Sequence, residues 1–404
     1  MKLSISPQIS LADEDTLFVL SKLEPETIYE CVFSTRDKHG NEWSSSYHFP
    51  TNGSGEIHLA QHLDHPLGFI RDMKSDQPFK FDQNGAEPFE ITVTLSQNGK
   101  TIGSNVIRRV YADGVEKVDI RKNGIYGYGY YPKTQAIDTA VVLFSGSGGG
   151  LGEGRASLYA SRGITCFSIP YFRHEGLPQT LENIPLEYFP KAINHLKENY
   201  NIEKFVAIGT SRGGELVLLL ASLFPKLFQG IIAIVPSSAI YGGMPDLTKP
   251  AWLYQEQPLP IAPFPTGEDL LNVVDISKPV GMTPFILQTM KDKIDAFTTA
   301  GIEVERITCP IQLISAMDDQ MWPSTEYCNQ ILTRLKAHNK DHLCTHLAYK
   351  GAGHIIAHPY VPSTNNNAHH PLQGIVFDNG GNTVDHFLAV EDAWKHNLSF
   401  IRSL

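Results

Sequence analysis

Phe205-Val-Ala-Ile-Gly209-Thr210-Ser211-Arg212-Gly213-Gly214-Glu215, running on into Leu216–Leu220, is the stretch that decides how this chain folds. An apolar strand ends in G-x-S-x-G and passes directly into a helical pattern. A serine so placed sits on a sharp turn, and Gly209 and Gly213 leave room for strand and helix to approach closely. The turn lifts the Ser211 hydroxyl out of the sheet, and the helix N-terminus favours negative charge developing beside it. A serine near a helix start is commonly only a cap. The strand before it and the helix after it point here to a nucleophile.

Working outward from the elbow, continuous apolar runs recur at Ala140–Phe144, Ile164–Ile169, Ile231–Val235 and Ile311–Ile314, as in parallel strands buried on both faces. Between them lie helical patterns; in Leu186–Tyr200 the residues Phe189, Ala192, Ile193, Leu196 and Tyr200 follow the i, i+3, i+4, i+7 spacing. This alternation predicts one α/β domain over residues 115–404. Prolines from Pro236 to Pro265 interrupt it and predict an irregular lid insertion around 236–285. Residues 1–114 read differently. Phe89, Ile91, Val93 and Leu95 alternate with Glu90, Thr92, Thr94 and Ser96, and Asn98-Gly99 suits a tight hairpin turn into Ile102–Tyr111. With strands at Leu17–Leu23, Ile28–Thr35 and Trp43–Phe49, this half reads as a small antiparallel sandwich with no catalytic cluster of its own.

A serine hydroxyl needs a base, and the base an orienting carboxylate, in chain order Ser…Asp/Glu…His for this type of fold. After Ile311–Ile314 comes Ser315-Ala-Met-Asp318-Asp319-Gln-Met-Trp-Pro323. Asp319 is the favoured acid because its Asp-x-x-x-Pro spacing resembles the acid loop of many hydrolases. One of the two aspartates is expected to form an Asx-turn or cap for the helix beginning near Ser324. The base candidate is His354, in Gly351-Ala-Gly-His354 after a strand at Cys344–Tyr349; His358, His369, His370 and His386 compete with it. An oxyanion needs two backbone donors. One would be the Arg212 amide, the other Ser147 or Gly148 in the loop Phe144-Ser-Gly-Ser-Gly-Gly-Gly-Leu151. That loop is neither a P-loop nor a complete dinucleotide fingerprint, so a nucleotide is not expected. No helix-borne ligand pattern supports a metal, and no cofactor is expected.

The chain has 404 residues with 43 acidic and 33 basic side chains, a formal charge of −10. That balance argues against a general nucleic-acid binder. No stretch is long and apolar enough for a membrane span. Five scattered cysteines without CxxC spacing (Cys31, Cys166, Cys309, Cys328, Cys344) read as reduced thiols.

With these segments in hand, the chain resembles the family of acyl-CoA thioesterases and bile acid-CoA:amino acid N-acyltransferases. The resemblance rests on Gly146-Ser-Gly-Gly-Gly-Leu-Gly-Glu153-Gly-Arg155-Ala-Ser-Leu158, Ala160-Ser-Arg-Gly163, Pro170-Tyr-Phe172 and Glu187-Tyr-Phe189. It rests also on the elbow, on Gly351-Ala-Gly-His354, and on Asp392-Ala-Trp394-Lys. It implies an N-terminal all-β immunoglobulin-like sandwich joined to a C-terminal α/β-hydrolase domain. It further implies Ser211 as nucleophile, Asp319 as acid and His354 as base, acting on an acyl-CoA substrate. Hydrolysis through an acyl-serine is the expected reaction; N-acyl transfer to an amino acid, and general carboxylester hydrolysis, are the alternatives. In the transferase branch the nucleophile is cysteine. The sequence departs from the family at Arg212, across Tyr241–Pro284, and in Arg402-Ser403-Leu404, a degraded form of a peroxisomal address. A cytoplasmic protein is the expectation. Acyl-chain length and oligomeric state are not encoded in any motif.

Overall fold

The alternating run forms the strand Phe89–Gln97 and returns as Lys100–Val110 through Asn98 and Gly99, both at positive φ (50° and 73°). That conformation is what the Asn-Gly pair permits and most residues resist. The hairpin sits in a five-stranded sheet in the order Ile9–Leu11, Lys100–Val110, Phe89–Gln97, Ile28–Arg36, Glu42–Pro50. A three-stranded sheet of Ser4–Ser6, Val19–Ser21 and Ile57–His58 shares its core: Ile5, Leu20 and Ile57 belong to one buried cluster with Phe33, Val93 and Leu95. The pairing departs from the antiparallel expectation at one edge, where Ile9–Leu11 runs parallel to Lys100–Val110. The computed structural model describes residues 3–134, 136–265, 275 and 277–404.

The second half is built on an eight-stranded sheet in the order Val115–Asp119, Tyr128–Pro132, Cys166–Ser168, Thr139–Phe144, Lys204–Thr210, Gly230–Ile234, Ile311–Ala316, Cys344–Tyr349. From Cys166–Ser168 onward all pairs are parallel, while Tyr128–Pro132 is antiparallel to both neighbours. Period-two alternation explains why the central runs are apolar throughout. Val141, Leu143, Val206 and Ile208 face a core shared with the helices Glu153–Ser161 and Thr383–Arg402 and with the sandwich. Val142, Phe144, Phe205 and Ala207 face the helices Tyr188–Tyr200, Arg212–Leu223 and Ser324–Ala337 on the other side. The first two strands have no apolar run and were not among the predicted elements.

The segment 236–285, expected to be irregular, carries some regular elements. Trp252–Tyr254 pairs with Ile184–Pro185 on one side and Gln257–Pro258 on the other, and Thr283–Asp292 is a helix. Pro258 is tolerated because its strand is an edge. Part of the insertion, 266–274 and 276, lies outside the described residues.

Candidate active site

Ser211 follows the strand Lys204–Thr210 and caps the helix Arg212–Leu223 with φ 58° and ψ −119°. A non-glycine residue held there is strained, and the surroundings must impose it. They do so at both ends: the Ser211 amide donates to Ile234 O at 2.8 Å, and its carbonyl accepts from Glu215 N at 3.0 Å. A Cβ on Gly209 would lie 1.9 Å from Gly213 O, and one on Gly213 would lie 2.6 Å from Ser145 O. Both positions therefore require glycine for close approach. The Arg212 amide, first in the helix, has no intrahelical acceptor to use.

The glycine-rich loop packs on this turn: a Cβ on Gly146 would lie 2.9 Å from Thr210 O and 3.4 Å from Ser211 Cβ. Carbonyls hold the loop, Ser145 O accepting from Tyr171 Oη at 2.6 Å and Gly148 O from Arg173 Nη1 at 2.7 Å. Ser147 Oγ is hydrogen-bonded to His370 Nε2 at 2.9 Å.

His354 Nδ1 donates to Asp319 Oδ2 at 2.8 Å, with both side chains buried. The other Asp319 oxygen accepts from the Met321 and Trp322 amides at 3.0 and 3.2 Å. Asp319 thus orients the ring and also closes the turn before the helix, the turn that the sequence reading left to one or other of the two aspartates. Asp318 is exposed, and its backbone amide donates to Ala352 O at 3.1 Å. The His354 amide donates to Asn379 O at 2.7 Å, and the Trp322 indole meets the ring edge-on with centroids 5.8 Å apart.

Ser211, His354, Arg212, Ser147 and Gly148 line one cavity of about 370 Å³. Leu143, Tyr241, Met244, Phe264 and Trp322 supply much of its apolar wall. Among the described residues the Ser211 hydroxyl makes no direct hydrogen bond to His354; the two share the cavity rather than a contact. A larger open groove of about 690 Å³ lies on the sandwich, lined by polar residues around Asp37 and Glu90, without a nucleophile and base together. The Arg212 side chain is engaged on the segment after Val235 and on its own helix. Fully buried, it donates to Tyr241 O at 2.9 Å and pairs with Glu215 at 3.3 Å, while Glu215 accepts from Trp252 Nε1 at 2.8 Å. Burial raises the Glu215 carboxyl to about 6, against the opposing pull of Arg212.

Of the competing histidines, His386 Nδ1 accepts from Gly353 N at 3.1 Å and so supports the loop that carries His354. His369 and His370 line the cavity, and His358 lies behind it, lining the smaller neighbouring cavity. Lys80 and Arg155 also line the main cavity and were missed as site residues. Arg155 lay inside a quoted motif; Lys80 comes from the sandwich, where no local pattern announces it. Asp15, His65 and Glu391 bring three ligand atoms within 4.8 Å of one another. Glu391, however, is already paired with His65 at 3.0 Å and Lys395 at 2.5 Å, and none of the three lines the cavity.

The strand order, the strained elbow and the buried Asp–His pair define an α/β hydrolase. The family described as BAAT / acyl-CoA thioester hydrolase C terminal matches residues 184–404, and acyl-CoA thioester hydrolase/BAAT N-terminal region matches residues 13–122. The chain belongs to this acyl-CoA thioester hydrolase/BAAT family. It is similar to acyl-coenzyme A thioesterase 1 of Rattus norvegicus, 27% identical over 96% of this chain and 93% of that protein. The human mitochondrial acyl-coenzyme A thioesterase 2 is 28% identical over 96% of this chain and 81% of its own length. The bile acid-CoA:amino acid N-acyltransferase of Mus musculus is 24% identical over 99% and 97%. Among solved structures, an esterase/lipase from an uncultured bacterium is 12% identical with a TM-score of 0.42, covering 72% of this chain and 85% of that one.

Proposed function

We propose that the protein hydrolyses acyl-CoA thioesters to free acid and CoA through an acyl-serine. Ser211 attacks the thioester carbonyl while His354, oriented by Asp319, takes its proton. The tetrahedral oxyanion is received by the Arg212 amide and by the Ser147 or Gly148 amide. His354 then protonates the departing CoA thiolate and activates the water that releases the acid. The observation that carries this reading is the Asp319–His354 pair at 2.8 Å, with His354 opening on the same apolar-walled cavity as Ser211.

The rival within the family is transfer to an amino acid, and the identity of the nucleophile discriminates. A thioester on cysteine keeps a good thiolate leaving group (free pKa about 8.5), so an amine can compete with water. An oxyester on serine has a far poorer leaving group and is resolved by water activated in place. With about 10 mM glycine or taurine present, above the usual KM range, free acid should remain the main product by mass spectrometry. Predominant N-acyl glycine or N-acyl taurine would overturn the hydrolase reading. Ser211→Cys should move the ratio towards the amide.

The same reading takes residues 1–114 as an immunoglobulin-like sandwich supporting the active-site rim and 115–404 as the catalytic domain with its lid. The cytoplasm is the proposed compartment, supported by five unpaired cysteines, four of them buried.

A further inference from the structure

Two cations in the wall of the Ser211 cavity have no role in the chemistry above. Arg155, in the first turn of Glu153–Ser161, donates from Nη1 to Thr210 Oγ1 at 2.9 Å, one residue before the nucleophile. The titratable groups that bear on it are Tyr159 and Cys166, both neutral because burial pushes phenol and thiol up. Among the described residues no carboxylate reaches it, so most of its five donors are available. Lys80 enters from the sandwich and lines both this cavity and a smaller one of about 120 Å³. Its nearest carboxylate is Asp82 at 3.7 Å, but Asp82 also serves Lys38 at 2.7 Å and His39 at 3.3 Å. One acid therefore answers several bases, and positive charge is left over.

A third group sits where both charges are felt. His358 lines the smaller cavity, its ring fixed edge-on against Tyr111 with centroids 5.4 Å apart. Its Nδ1 is buried and has no hydrogen-bond partner. Burial first, then Arg155 and Lys80, hold the ring neutral, with the residue's own backbone and then Asp82 pulling the other way. A buried ring nitrogen left without a partner is costly, whichever nitrogen carries the proton, and in the tautomer protonated at Nδ1 it is a donor that lacks an acceptor. The two under-neutralised cations call for an anion, and an anion seated between them also supplies the acceptor that Nδ1 lacks when it carries the ring proton. An alkyl chain alone would leave all three unsatisfied.

We infer that Lys80 and Arg155, with His358 beside them, form an anion subsite in the wall of the catalytic cavity that takes an oxyanion of the substrate, either a carboxylate carried on the acyl group or a phosphate of CoA. This rests on the thioesterase reading and deepens it. The sandwich then contributes a binding residue to the cavity, not only support.

The test uses four thioesters with the full-length protein: hexanoyl and 5-carboxypentanoyl groups, each on CoA and on N-acetylcysteamine, scored by thiol release. Lys80→Gln is the first variant because its partly exposed side chain tolerates replacement; Arg155→Lys, which keeps the charge but not the fork, is the second. If the acyl carboxylate is the occupant, Lys80→Gln should lower the carboxylated-to-plain ratio of kcat/KM about tenfold on both carriers, the worth of a charge-assisted hydrogen bond. If a phosphate is the occupant, the ratio that falls should be CoA to N-acetylcysteamine, mainly through KM. Equal effects on all four substrates, or none, would overturn the subsite. Calorimetric titration with adipate and with CoA needs no turnover. Binding of either that Lys80→Gln weakens, alongside no thiol release from any wild-type reaction, would keep the subsite and overturn the thioesterase reading. Unchanged binding of both in Lys80→Gln would overturn the subsite alone.

Discussion

At Ser211 the strain is local but its causes are spread over three segments: Ile234 receives its amide, Gly213 yields to Gly209, and Gly146 lies against its Cβ. Replacing Ser211 by Ala keeps that scaffold and removes only the hydroxyl. Turnover of acyl-CoA should fall by several powers of ten; His354→Ala should do the same, and the double variant little more, because the pair acts as a unit. Steady-state thiol release measures this, and retention of more than about a tenth of wild-type kcat in Ser211→Ala would exclude it as nucleophile. The two adjacent aspartates offer a sharper contrast. Asp319→Ala removes the partner of His354 and the acceptor of two amides, so it should cost both activity and stability. Asp318→Ala removes an exposed side chain and should cost little of either. The reverse order would move the acid role to Asp318. Sequence distinguished these neighbours only through the distance to Pro323. It had no means of seeing that one carboxylate could serve two amides and an imidazole at once, since that depends on where the chain turns after Ala316.

At the scale of elements, a buried charge pair within the elbow helix, Arg212 with Glu215, is tied to the segment 236–285 by hydrogen bonds to Tyr241 O and from Trp252 Nε1. Arg212→Met would strand Glu215 without its cation, leaving only the Trp252 and Tyr241 donors. The expected cost is about 3–5 kcal/mol in denaturant unfolding, and adding Glu215→Gln should recover a large part of it. No recovery would mean that the guanidinium acts through packing, not charge. Two histidines between Cys344–Tyr349 and the last helix, His358 and His370, and one in that helix, His386, carry a pH dependence. Burial pushes His358, His370 and His386 down to about 4. Between that value and the unfolded value near 6.5 the unfolded chain binds more protons, so stability should fall as pH drops from about 7 to 4, by up to about 3 kcal/mol per group. Glu215, raised to about 6, works in the opposite direction with a smaller range. His386→Gln should flatten the curve, because it removes a ring whose protonation costs burial of the charge first and the Gly353 hydrogen bond besides. Denaturation midpoints at a series of pH values would show it, and an unaltered slope would remove His386 from the account. These elements differ in how legible they were. Strands buried on both faces announce themselves as apolar runs, and helix Tyr188–Tyr200 by its period. Val115–Asp119 and Tyr128–Pro132 do not, because the sheet edge they form is half-exposed and tyrosine-rich. The short strands Trp252–Tyr254 and Gln257–Pro258 were hidden by prolines that an edge tolerates.

Across the whole molecule the decisive feature is the seam between the halves. Asp13 of the sandwich, fully buried at its side chain, accepts from Arg162 at 2.7 Å through both oxygens and from Trp394 Nε1 at 2.9 Å. His65 meets Glu391 at 3.0 Å, and Lys80 N donates to Asn367 O at 2.8 Å. Around these contacts the sandwich core continues without interruption into the core under the helices Glu153–Ser161 and Thr383–Arg402. Neither half closes its own apolar surface. Removing residues 1–112 would bare Tyr159, Phe387 and Trp394 and leave Arg162 without its buried acceptor, a patch of the kind that drives association. The 113–404 fragment should therefore aggregate or lose acyl-CoA turnover, as read by light scattering and thiol release. Deletion alone would not separate support from a mere folding requirement. Asp13→Asn keeps the volume and one acceptor but removes the charge that Arg162 faces. It should lower the unfolding free energy by several kcal/mol, since one partner of a buried pair is lost. If the halves unfold as one cooperative unit, both should then unfold together at a lower denaturant midpoint. Two separated transitions in the variant, with turnover surviving the first, would show the sandwich to be a tethered neighbour and not part of the catalytic body.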